Sequence, residues 1–519
     1  MLHPALIPLL CTLVPARTPG TDGAPAGAVG LLDKSVEELC RLGERGLDIA
    51  DPALALSAWR ALQLRTVAVE QERDLNFQAR VGLGRSWLML GRNEFARAYA
   101  EDLVRERPDS DRAWALEIQV LLRGGDFQEA YELATCVSRR LGLSGPELRS
   151  AHAAALFRSR HLNEARRCYK RILKQDPEHI EALVRLGTGL LERREFEPSE
   201  AIERALQDMQ RGRTDRARRT LREFLASQPD HPVALRLLGE LRLAGKRAES
   251  PLVRNGSLRE FWMLLSRGRT VPRWLRSYYP VYSRLSGRRQ LVVAVSSMPF
   301  SAHLARVALA GGRHDILMEE ERTTDASARA WLRGKRTFDG RGWDDVRGIG
   351  GLTAATGVES LDEALEGGFQ TLIHELAHQV HHFSLSDRYR ARIHELYQSA
   401  LVENRCLDFY ARVNESEYFA QGVEAWFSFT KGAGQPVTHG HTHFELGRKD
   451  PELCRLIGEI ADWDPFAGPD GQRLLELAMR AALCVGRAED ARTILGLMQA
   501  PRPELRRSVA RAWNRFRVL

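Results

Sequence analysis

The chain runs to 519 residues, several times the ~150 of one domain, and its 44% hydrophobic and 28% charged content suits more than one packed core, excluding disorder and collagen-like fibres. Lys and Arg number 76 against 68 Asp and Glu, giving +8 at pH 7, which permits acidic partners. No basic block interleaved with aromatics points to nucleic acid, and seven scattered cysteines without a Cys-x-x-Cys pair exclude a disulfide framework and a thiolate zinc cluster.

No apolar run reaches the ~18 residues of a bilayer span, so no membrane crossing is expected. Two readings of residues 5–14 (ALIPLLCTLV) stand side by side. One is a signal-peptide core ending at a small-residue cleavage site, which would export the chain. The other is an apolar N-terminus of a cytoplasmic protein, favoured by Pro8 and by the missing Lys or Arg ahead of it. Residues 17–30 are rich in Gly, Pro and Ala, so 1–30 forms a leader or linker.

Internal repeats follow. Gly91 precedes Ala96, Gly125 precedes Ala130 and Gly212 precedes Ala217 by five positions each, and the first two copies are offset by 34 residues. Twelve residues after Ala96, Ala165 and Ala217 come Pro108, Pro177 and Pro229; Leu-Gly recurs at Leu186-Gly187 and Leu238-Gly239. The pattern predicts helix pairs: the small residues allow close approach, the Gly ends one helix, and the Pro closes the next. It resembles the tetratricopeptide repeat, which implies an α-solenoid over 31–250 with one degenerate unit near 192–198. Such an array either offers a groove to a protein or peptide partner or only positions another module. Gly486, Ala491 and Pro503 repeat the spacings, so one more repeat and a capping helix are expected over 470–519.

Between them, 255–468 reads as an α+β module. Residues 290–296 (QLVVAVS) form a β-branched run of strand length, a second strand is expected at 315–318, and Gly-rich turns fill 340–351. At its centre, 371–382 reads TLIHELAHQVHH. On a helix, His374 and His378 lie one turn apart on one face, where two imidazoles reach one Zn²⁺ and Glu375 sits beside a water held there. That pattern suits metal-assisted hydrolysis of a carbonyl, with Glu375 taking the proton. His394-Glu395 begins a half-motif, but Gln398 stands where a second His would be, so a plain surface helix is expected.

Zinc needs a third protein ligand. Ser384 occupies the place a metzincin gives to His, and His381 and His382 point off the shared face. The remaining option is a Glu on a second helix. Residues 414–427 (NESEYFAQGVEAWF) supply one, with Asn414 as N-cap and Glu417, Gln421 and Glu424 on one stripe. Glu403 and Glu415 are rivals from a more polar stretch and from off the stripe.

Taken together, HELAH and NESEYFAQGVEAWF resemble the catalytic domain of anthrax lethal factor and its bacterial relatives, glutamate-type zincins; the turn Arg-Gly-x-Gly-Gly at 347–351 strengthens the likeness. The resemblance implies that Glu417 is the third ligand and that Tyr410, seven residues earlier, faces the scissile carbonyl and stabilises the oxyanion or protonates the leaving amine. Gln421 departs from the family's Glu. A neutral amide supports a ligand imidazole less well, which bears on activity more than on metal binding. His439, His441 and His443 form a separate cluster, which reads as a polar loop or, functionally, as a lining of the substrate cleft or a site for adventitious metal.

The sequence therefore leads to a multidomain, mainly α chain: a tetratricopeptide-like solenoid, an α+β zincin-like domain, and a C-terminal tetratricopeptide-like segment. The expected activity is zinc-dependent peptide hydrolysis of a protein or peptide substrate, with the repeats recruiting it. The alternative is an interaction scaffold whose zincin module is degenerate and keeps zinc for stability.

Overall fold

The computed structural model describes residues 31–66, 72–142, 145–187, 199–267, 271–319, 321–337, 341–344, 346–436, 438–499 and 501–517, and these are mainly helical. The N-terminal half is a stack of helix pairs: Val36–Asp48 with Pro52–Thr66, Arg73–Met89 with Asn93–Glu106, Asp111–Gly124 with Phe127–Leu141, and Pro146–Arg158 with Leu162–Gln175. The turns follow the expected register. Gly91, Gly125 and Gly212 take left-handed φ values of 73°, 90° and 70°, where a Cβ is costly. Five residues on, Ala96, Ala130 and Ala217 are fully buried where the helices cross. In the pair Pro146–Arg158 and Leu162–Gln175 the left-handed place falls to Arg160, at φ 70°.

The Leu-Gly positions mark a close crossing. A Cβ on Gly187 would lie 2.6 Å from the backbone nitrogen of Arg236, so Ile180–Gly187 and Pro232–Glu249 meet nearly backbone to backbone. Three consecutive apolar clusters run along the array, each bridging adjacent pairs. The degenerate unit expected near 192–198 lies outside the described residues, as does the 1–30 leader or linker.

Beyond the array a three-stranded sheet appears in the order β1–β3–β2. Strand β1 (Arg313–Leu317) runs parallel to β3 (Thr353–Gly357), and β2 (Gly348–Ile349) pairs antiparallel with β3 at the edge. β1 falls close to the strand expected at 315–318. The strand expected at 290–296 does not exist. That segment belongs to a helix, Gly287–Ser297, capped by Ser286, whose Val292, Val293 and Val295 are fully buried. A run buried on several sides carries no alternation to separate strand from helix.

The helical stretch Gly287–Leu309 is, among the described residues, long and apolar enough by composition to cross a bilayer, contrary to the expectation that no run reaches that length. Half of it is buried, with Phe300, Leu304 and Val307 in the main core, as in the core helix of a folded domain.

The helix that carries the two histidines, Thr371–Phe383, is pinned to the sheet by one buried side chain. Gln379 donates to the carbonyls of Arg313 (3.2 Å) and Leu352 (3.1 Å), and its oxygen accepts from Tyr278 and lies 3.1 Å from His314 Nδ1. Burial pushes the His314 pKa down to about 4, so its imidazole stays neutral in this network.

Array and central region touch directly. A Cβ on Gly125 would lie 2.9 Å from Phe409, and Phe127 packs edge-on against that ring at 5.4 Å. The Gly434 amide donates to Met89 O (2.8 Å), and Arg123 donates to Gly434 O (3.1 Å). At the C-terminus, Gly471–Cys484 and Ala488–Leu497 turn at Gly486, φ 75°, over the buried Ala491, as the repeated spacing predicts. These helices share the core of the central region rather than that of the array, and Arg92 reaches Glu489 at 2.7 Å across to the first part of the stack.

Candidate metal centre

Two helices bring the donors together. On Thr371–Phe383, His374 and His378 share a face, and their Nε2 atoms lie 3.2 Å apart. The second helix, Glu415–Phe427, starts at Asn414, whose side chain accepts the Glu417 amide proton at 2.9 Å. That cap sets Glu417 in the first turn, with Oε2 at 3.2 Å from His374 Nε2 and 3.6 Å from His378 Nε2. All three donor atoms lie within 4.8 Å of one another.

The spacing suits a shared cation. Donors about 2.0–2.1 Å from an ion at tetrahedral angles stand about 3.3–3.4 Å apart. Glu417 Oε2 is buried without a well-aligned hydrogen bond although two imidazole nitrogens stand near it, an arrangement that a shared cation would satisfy. Two nitrogens and one carboxylate oxygen are a donor set that suits zinc. Burial opposes the Glu417 charge, but the two imidazoles hold its carboxyl well below the usual range. Burial lowers the His378 pKa; burial also opposes charge on His374, yet Glu417 and Glu375 hold that pKa above its ordinary value.

Glu375 lies beside this group in a cleft of ≈ 570 Å³, and burial, more than any neighbouring charge, pushes its pKa up to about 7. The glycines of the turn at 347–351 are needed here. A Cβ on Gly348 would come within 2.7 Å of Glu375 Oε1, and one on Gly350 within 2.7 Å of His378 Cβ. β2 can therefore lie flat against the histidine helix, while Arg347 clamps the turn through paired bonds to Glu359 of 2.6 and 2.7 Å.

Tyr410 lines the same cleft as His374 and Glu375, and so does Gln421. The other candidates go elsewhere. Glu403 meets Arg405 (2.8 Å) and Glu415 meets His394 (2.6 Å), while His381 packs on Phe419. Glu424 is buried in an ion pair with Lys431. The three histidines of the 439–443 loop split: His439 faces Phe369 in the cleft, His441 bridges Asp408 (3.0 Å) and Glu445 (3.2 Å), and His443 meets Trp426 O (2.7 Å). Burial first, then the positive charges of Lys431, His374, Arg158 and Arg341, push the His439 pKa down to about 3.

Two contributions escaped sequence reading. Ser416 lies 3.4 Å from His378 Nδ1 and 2.6 Å from His382 Nε2, so it orients a candidate ligand from behind. Its place next to Glu417 was the only available signal. The second is the array itself: Phe127, Phe157, Arg158, Arg160 and Arg185 form the wall of the cleft opposite His374.

Residues 90–135, 150–209 and 202–250 match a family model of the tetratricopeptide repeat. Among solved structures, a thermophilic tetratricopeptide repeat protein of Thermus thermophilus is 18% identical, with 40% of this chain and 100% of that chain covered and a TM-score of 0.26. No curated protein matches. The array over the matched residues within 90–250 thus carries tetratricopeptide repeats, a module that points to protein partners.

Proposed function

We propose that the tetratricopeptide array presents a protein or peptide to a zinc-dependent peptidase centre held by His374, His378 and Glu417. The observation that carries this reading is the meeting of those three donors at near-tetrahedral spacing, with the buried Glu375 lining the same cleft as His374.

When bound, zinc supplies Lewis-acid activation of a water and a carbonyl. This chain's residues do the rest. Glu375, buried beside the centre, accepts the proton of the attacking water and returns it to the leaving amine. Tyr410 donates a hydrogen bond to the oxygen that gains charge. Asn414 fixes Glu417, and Ser416 fixes the His378 ring.

A second reading, an interaction scaffold whose centre keeps zinc for stability alone, is favoured by the repeats and by the neutral Gln421 in the cleft. Metal analysis and peptide-library cleavage separate the two. The peptidase reading expects zinc near one per chain, hydrolysis by the wild type, and no hydrolysis by Glu375→Gln at unchanged zinc content. Zinc without cleavage leaves the scaffold; an absence of zinc defeats both; persistent turnover in the Gln variant overturns the assigned base.

A further inference from the structure

The cleft holds a polar ring beyond the groups assigned to the reaction. His439 lines it together with His374, Glu375 and Tyr410. Its imidazole packs on Phe369, ring centres 4.3 Å apart, and Phe369 in turn lies 5.5 Å from the His374 ring. In the same loop His441 is engaged by Asp408 and Glu445, and His443 by Trp426 O. Among the described residues neither nitrogen of His439 is hydrogen-bonded, and neither is sealed off from the cleft. Packing on Phe369 would be served as well by Phe or Leu, which bring no polar atom to a half-buried place.

The backbone around His439 is held from three directions. On the array side the Gly434 amide donates to Met89 O (2.8 Å), and Arg123 donates to the carbonyls of Gly434 (3.1 Å) and Gln435. From the C-terminal segment, Arg487 donates to Gly440 O. The third hold is the buried pair of His441 with Asp408 (3.0 Å), and Asp408 also accepts the Ala411 amide proton at 2.8 Å, which closes the turn around Tyr410. Tyr410 and His439 thus each stand two residues from the same buried pair, on two loops that it ties together. A group placed this firmly loses little freedom when a substrate arrives.

Burial and the surrounding positive charges keep the His439 ring neutral, with its pKa pushed down to about 3. A neutral imidazole carries one N–H, so it donates a hydrogen bond near neutral pH without first taking up a proton.

We infer that His439 is a second catalytic donor: its N–H, beside the Tyr410 hydroxyl, donates to the carbonyl oxygen of the peptide bond under attack. The proton stays on the ring while the oxygen gains charge, so no proton transfer is added to that of Glu375. The inference rests on the peptidase reading.

The test uses the full-length zinc-loaded chain, a fluorogenic peptide that the wild type cleaves, and a phosphinic peptide of the same sequence, whose tetrahedral centre resists cleavage. His439→Phe keeps an aromatic ring on Phe369 and removes the N–H; His439→Gln restores an N–H. In the Phe variant kcat should fall about 100-fold with KM within about threefold of the wild type, at unchanged zinc content. The Gln variant should recover at least about tenfold of that loss. By isothermal titration calorimetry the phosphinic peptide should bind the Phe variant about 100-fold more weakly, while the cleavable peptide binds Glu375→Gln and Glu375→Gln/His439→Phe equally.

A kcat in the Phe variant within about threefold of the wild type overturns the inference and leaves the peptidase reading standing. A rise in KM at unchanged kcat does the same, since it makes His439 a contact of the bound substrate only. Equal losses in the Phe and Gln variants, or loss of zinc from both, assign the ring to packing and overturn the inference too. A wild type that cleaves nothing across a peptide library removes the peptidase reading and this inference with it.

Discussion

Lys431 is a cation with no access to water, and replacing it with Met should be among the most damaging single changes near the candidate centre. Its ammonium donates to Gly368 O at 3.0 Å and to Glu424, whose Oε1 also accepts the Gln370 amide proton at 2.9 Å. Gln370 is the N-cap residue of the histidine helix, so the pair ties the start of that helix to the far half of the glutamate helix. Glu424 is 1% exposed. Met would leave its carboxylate without a counterion, at a cost of about 3–5 kcal/mol. For a unit of this size, about 2–4 °C is lost per kcal/mol, so the melting temperature should fall by roughly 6–20 °C. Zinc affinity should drop too, because His374 stands one turn from the loosened end. Glu424→Gln/Lys431→Met removes both charges and should recover at least half of the loss. Thermal unfolding by circular dichroism and zinc competition with a chromophoric chelator read these effects. A Met variant melting within about 2 °C of the wild type, less than the smallest loss expected, or a double variant no better than the single, would refute the buried-pair account.

Two further outcomes are expected. Ser416→Ala should weaken zinc binding by about 10–100-fold with little change in melting temperature, since besides the orienting contact behind His378 it removes an exposed contact to His382 and a long one to His381; a chelator titration checks this. Stability should also depend on His441. Burial opposes its charge, yet Glu445 and Asp408 raise its pKa to about 9, above the ~6.5 of an unfolded chain. Its contribution is therefore complete below about pH 6.5 and is lost as pH rises through about 9, so the melting temperature should fall over that window and fall less in Asp408→Asn. Equal slopes in both proteins would assign the loss to other groups.

What could be read from the chain and what could not divide along physical lines. The repeat register was legible because turn chemistry is local: only a residue at ease with positive φ sits at Gly91 or Gly125, and only a small one fits at Ala96 or Ala130. Candidate ligands were legible because four residues on a helix make one turn, and because Asn414 announces where the second helix begins. The run at 290–296 misled because burial on several sides erased the period that separates strand from helix. Glu424 was one of three polar groups on a stripe, and only the fold reveals that Lys431 claims it. The repeat wall of the cleft was invisible since no local pattern says which surface of a solenoid will face a distant segment.

Phe409, adjoining Tyr410, is seated against Gly125 and Phe127 of the repeats. A fragment beginning after the solenoid would leave that ring in water and remove one bank of the channel. Shuffling such arrays between proteins is therefore not a neutral exchange of handles: a graft that lacks a glycine at this bend drives a methyl group into the aromatic ring and unseats the tyrosine's neighbour. The two halves are thus coupled through this one seat, and a change on either side of it is felt on the other.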